Sequence, residues 1–115
     1  MKHYALTLNL KDDAQTIARY REYHANPWPE PLAGLRQVGV VGMRIYLLGR
    51  RMFMHMTTVD DFDPARDLAR YVEQNPKAAE WDALMRTFQE KVPEAGDGEW
   101  WAYMECVFDL DDHVG

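Results

Sequence analysis

The chain of 115 residues carries 13 basic and 19 acidic side chains, a formal net charge of −6, so residues 1–115 suit one domain and lack the clustered basic surface that nucleic acid requires. Cys106 is the one cysteine, which excludes an intrachain disulfide, suits a cytoplasmic protein and leaves any zinc site to histidines and carboxylates. Charges interrupt every run short of the roughly 18 apolar residues that a membrane helix needs, and the N-terminal YALTLNL alternates rather than forming the apolar block of a signal peptide.

In chain order, Tyr4, Leu6, Leu8 and Leu10 alternate with Ala5, Thr7 and Asn9, which predicts a strand over 4–10. Asp12-Asp13 supply a helix cap, and Ile17, Tyr20, Arg21 and His24 recur at helical spacing until Asn26-Pro27 ends the helix. Pro29 and Pro31 suit the first turn of a short helix through Leu32, Leu35 and Val38 to Gly39, weakened by Gly34 inside it. VVGMRIYLL and RMFMHMTTV predict two strands joined by a hairpin turn at Gly49-Arg50-Arg51. From Asp63-Pro64 to about Lys91 the pattern is helical, with a break at Asn75-Pro76, and the second piece reads as the main helix. EWWAYMECVFDL predicts a closing strand with Cys106 in its middle and Trp100 and Trp101 on opposite faces, at least one of them buried.

The expected order is β-α-β-β-α-β, an α+β fold with a ferredoxin-like antiparallel sheet and helices on one face. The other face is then open and expected to carry large methionine, tryptophan and tyrosine side chains. A homodimer pairing sheet to sheet is the natural way to cover it.

The histidines, His3, His24, His55 and His113, form no H-x-H or H-E-x-x-H pair, so there is no local metal constellation, and the dispersed glycines indicate no nucleotide cofactor. A Ser-His-Asp triad fails because the chain has no serine, and Cys106 has no basic neighbour in sequence. Acid–base chemistry remains, with His24 the best-placed group: it titrates near neutrality, and a helix C-terminus favours its charged form. Tyr20 lies one turn earlier, so the pair is either a packed helix face or two groups presented to one pocket. Trp28, between prolines, is either a core plug or a rigid aromatic wall. Trp81, with Leu84, Met85 and Phe88 at helical spacing, is either a core stripe or a sugar-stacking ring.

H-A-N-P-W-P-E, with Tyr20 four residues before His24, resembles the H-x-x-x-W-P-E stretch of the L-rhamnose mutarotase family. The likeness continues through the opening strand, GRRMFMHM, AAEWDALM and GEWWAYMECVFDL. It implies a dimeric α+β barrel that interconverts the α and β anomers of a deoxyhexose without metal or cofactor. In that setting His24 is the acid/base, donating to the ring oxygen, and Tyr20 orients the substrate. Trp28 and Trp81 are apolar walls, and Glu30 or Glu105 is a candidate second proton acceptor. Two substrate-site positions depart from the rhamnose pattern: Asp82 replaces the second of two adjacent tryptophans, and Met43 replaces a pocket tyrosine. The branch associated with L-fucose looks closer, which favours L-fucose over L-rhamnose. Pro31 and His55 carry no assigned role. Cofactor-free monooxygenases and haem-degrading proteins share the strand order and are the alternative by fold analogy; a non-catalytic sugar-binding module is the third reading.

Overall fold

The computed structural model describes residues 1–113. The alternation near the N-terminus folds as β1 (Lys2–Leu10), with Leu6, Leu8 and Leu10 buried on one face. Asp13 starts α1 (Ala14–Ala25) by accepting from the Thr16 backbone N–H at 2.9 Å, and Asn26 closes it just before Pro27. Proline opens the first turn of α2 (Pro29–Gln37), where a missing N–H costs little. β2 (Val40–Leu48) and β3 (Arg51–Thr58) form the expected hairpin, turning at Gly49, whose φ of 62° favours glycine.

Asn75 ends α3 (Pro64–Gln74) and caps α4 (Pro76–Arg86), its side-chain oxygen accepting from the N–H groups of Lys77 and Ala78. Both helices are 11 residues long, so the second piece is not the longer helix expected. It stops early because the chain turns back to the sheet: Thr87 donates its hydroxyl to the Leu84 carbonyl at 2.6 Å, and β4 (Gln89–Glu90) pairs with Leu10 and Asn9.

The sheet runs β2-β3-β1-β4, and β5 (Ala102–Met104) joins the same edge of β1, opposite Ala5 to Thr7. Two short strands thus share the edge expected for one long closing strand. Residues 105–109 are unpaired, with Val107 and Phe108 exposed, and Cys106 lies exposed beyond the sheet rather than mid-strand. Alternation reports extended backbone, and only a paired neighbour makes it a strand. Trp100 and Trp101 sit in the bend before β5, both half-buried.

The helices cover one face of an antiparallel sheet, in the ferredoxin-like order with each helical crossover split in two. Beneath them lie two core clusters, one around Leu6, Val40, Met54 and Tyr71, the other around Leu8, Leu10, Tyr20 and Met52. The methionines of β3 are therefore in the core. The open face carries instead the residues between them: Phe53, stacked on Tyr46 with centroids 6.0 Å apart, and His55, whose Nε2 lies 3.1 Å from His3 Nδ1.

Candidate active site

Between α1, α2 and the inner face of β2 lies a cavity of about 390 Å³, within the usual span of small-molecule sites. Its lining is mostly aliphatic, from residues such as Leu35, Ile45 and Leu47, with Tyr20, His24, Tyr71 and Trp81 as its aromatic members. α1 brings Tyr20 and His24 onto one side because four residues make one turn. Their rings stack with centroids 4.2 Å apart.

His24 Nδ1 lies 3.0 Å from the Tyr20 backbone oxygen. A carbonyl only accepts, so Nδ1 carries the proton and Nε2 keeps its lone pair, with no partner among the described residues. Burial lowers the His24 pKa from its ordinary 6.5, and the smaller opposing effect of the Tyr20 carbonyl does not reverse the shift. This corrects the expectation of a charged imidazole: desolvation outweighs the helix terminus, and the resting ring is a neutral base. The Tyr20 hydroxyl accepts from Gln89 Nε2 at 3.3 Å, and Gln89 Oε1 accepts from Trp100 Nε1 at 2.7 Å. That chain holds the Tyr20 phenol in place from outside the cavity lining. Burial pushes the Tyr20 phenol up to about 12, the Gln89 bond partly opposing it, so the phenol stays protonated at neutral pH.

Of the other residues singled out in the sequence, Trp81 and Met43 line the cavity. Trp81 meets His24 edge-on, with centroids 5.6 Å apart, and Trp28 stands behind it at 5.1 Å, outside the lining. Glu30 is exposed and outside the lining; its backbone carbonyl accepts from Asn75 Nδ2 at 3.0 Å. Asp82, also outside, accepts from Arg86 Nε at 3.0 Å. Glu105 is exposed on the segment after β5.

The sequence model of the L-rhamnose mutarotase family matches residues 3–110. The chain belongs to the L-rhamnose mutarotase family. It is 37% identical over 116 residues to an L-fucose mutarotase of Xanthomonas campestris pv. campestris, spanning 99% of this chain and 92% of that protein. It is 46% identical over 113 residues to a UPF0734 protein of Dictyostelium discoideum, spanning 96% of this chain and 90% of that protein. Two solved structures share the fold. An L-rhamnose mutarotase of Formosa agariphila gives a TM-score of 0.68 at 21% identity, over 95% of this chain and 98% of that one. The tetracenomycin F2 cyclase of Streptomyces glaucescens gives 0.59 at 13% identity, over 95% and 96%. As a member of the mutarotase family the protein is an isomerase acting on carbohydrates.

The sequence reading did not place several residues of this mutarotase cavity in a site, among them Arg21, Pro31 and Tyr71. Arg21 precedes His24 by three positions and reads there only as helical spacing. Pro31 is buried in the cavity wall, and its place in the first turn of α2 signals a helix start, not a wall. Tyr71, three residues after Leu68 on α3, reads as part of an apolar helix stripe and turns out to line the cavity.

Proposed function

We propose that this family member interconverts the α and β anomers of a 6-deoxyhexose, with L-fucose favoured over L-rhamnose, by cofactor-free ring opening and closure at His24. The observation that carries the reading is the His24 tautomer: Nδ1 is tied to the Tyr20 carbonyl, which leaves Nε2 as the basic nitrogen of a cavity-lining ring. Nε2 takes the proton of the anomeric hydroxyl as the exocyclic C–O bond becomes a carbonyl and the bond from the anomeric carbon to the ring oxygen breaks. The ring oxygen, left with that electron pair, receives the proton back from the imidazolium. Both oxygens hang on one carbon, so a single nitrogen reaches them in turn. Rotation about the adjacent C–C bond and the same steps reversed close the ring with the opposite anomeric configuration. His24 is thus base first and donor to the ring oxygen second.

Tyr20 holds the imidazole by stacking and by its carbonyl, while its own O–H hydrogen stays available to a substrate oxygen. Trp81 and Met43 offer apolar surface to the 6-deoxy methyl and the C–H faces, and Trp28 braces Trp81 from behind. The identity to an L-fucose mutarotase along nearly the whole chain supports the preference for L-fucose. The protein acts as a homodimer in this reading, open face against open face. Its support is the exposed apolar surface of Tyr46, Leu48, Phe53 and Met104.

Saturation-transfer NMR on the anomeric protons of L-fucose, L-rhamnose and a D-hexose tests this. Exchange accelerated most for L-fucose is expected. Exchange at the buffer rate for every sugar would overturn the function, and faster exchange for L-rhamnose would overturn the preference.

A further inference from the structure

We propose that the Tyr71 hydroxyl is a further substrate-binding group, holding a sugar hydroxyl at the part of the cavity wall that α3 supplies; this rests on the mutarotase reading and deepens it. The polar side chains lining the cavity are few, and besides Tyr71 they are the pair already assigned to the reacting end, Tyr20 and His24, and two exposed arginines. The Tyr20 oxygen accepts from Gln89, His24 Nδ1 donates to a backbone carbonyl, and Arg21 and Arg36 are exposed. Tyr71 differs. The residue is 9% exposed and lines the cavity, yet its hydroxyl makes no hydrogen bond within the described residues. No sealed polar side-chain atom among those residues lacks a partner, so the Tyr71 oxygen keeps some accessible surface rather than being trapped.

The ring is also held in place. Gly34 of α2 lies so close that an added Cβ would sit 3.1 Å from both Cδ1 and Cε1 of Tyr71, so the phenol cannot swing toward α2. Tyr71 belongs to the core cluster of Leu6 and Val40, whereas Tyr20 belongs to that of Leu8 and Met52. The cavity is lined from both clusters, with a tyrosine from each. Burial, and then the charge of Asp82, push the Tyr71 phenol up to about 12, so it is a hydrogen-bond donor at neutral pH. A hexose carries a hydroxyl on nearly every carbon, and one brought against this apolar wall without a partner would lose its hydration for nothing. Tyr71 supplies that partner.

The test is Tyr71→Phe, which removes one oxygen that bonds nothing among the described residues. The melting midpoint should match wild type, kcat for L-fucose should stay within about twofold, and KM should rise about tenfold, the size of one neutral hydrogen bond lost. Across a series of monodeoxy sugars, the variant should match the wild-type KM for the one lacking the hydroxyl that Tyr71 holds. An unchanged KM for L-fucose overturns the proposal. So does a fall in kcat at constant KM, which would place the phenol in the chemistry, or a lower melting midpoint, which would make it structural. If wild type leaves anomeric exchange at the buffer rate, the mutarotase reading fails separately. Calorimetric binding of L-fucose, weakened in the variant, would then still uphold the contact, and equal binding would remove it.

Discussion

At His24 two local effects oppose each other. The helix C-terminus favours a positive charge, and burial against Tyr20 and Trp81 disfavours it. Burial prevails, which is why a neutral base stands where the sequence suggested a charged acid. The consequence is a pH dependence of defined sign. A base-first mechanism predicts that kcat/KM falls on the acid side with a midpoint below 6.5, the ordinary histidine value. Stability follows the same direction: the unfolded chain binds this proton more readily, so the His24 contribution is complete above 6.5 and declines as pH falls through the lower folded value. A pH series of rates and melting midpoints, compared with His24→Gln, checks both. An acid limb centred above 6.5 would contradict the neutral resting state. The spacing of Tyr20 and His24 was readable in the sequence. The tautomer was not, because it depends on a hydrogen bond that only the folded helix end defines.

Among the elements, the best-read boundaries were those marked by capping residues, since Asp13 and Asn75 start helices with their own side chains and so act locally. Gln89-Glu90 was missed as a strand because its composition suits a helix and its pairing with β1 is set by tertiary structure. Two element-scale predictions follow from close packing and from buried charge. In Gly34→Ala the new methyl group would meet Asn75 Nδ2 at 2.9 Å and the Tyr71 ring at 3.1 Å, pressing α2 away from α3 and α4. A loss of about 1–3 kcal/mol in urea unfolding is expected, with slower anomeric exchange because α2 carries part of the cavity wall. An unchanged unfolding midpoint would show that α2 yields freely. At the start of α3, Asp67 is buried and accepts from Arg66, from the Asp63 backbone N–H and from Arg70, which hold its carboxyl well below the usual carboxylate range. Its contribution is present above the unfolded value of 3.8 and is lost as pH falls below it. Asp67→Asn should therefore melt below wild type at neutral pH, with the gap narrowing in acid. A gap independent of pH would contradict this.

For the whole molecule, the open face of the sheet decides the expected assembly. The period-2 pattern of β3 was plain in the sequence, but which half of the alternation faced the helices was not, so the methionines and the Phe53–His55 side exchanged places relative to expectation. With Tyr46 and Phe53 exposed there, light scattering should report twice the mass of one chain, and Phe53→Glu should shift the species to one chain. Wild type scattering as a single chain at micromolar concentration would contradict the dimer. The proposed mechanism, in contrast, rests on one nitrogen of one ring, whatever the assembly. The most direct measurement is anomeric-proton exchange of L-fucose catalysed by wild type and by His24→Ala at equal concentration, with circular dichroism confirming that both are folded. A loss on the order of a hundredfold or more in the variant is predicted; a folded His24→Ala protein exchanging at the wild-type rate would contradict the account.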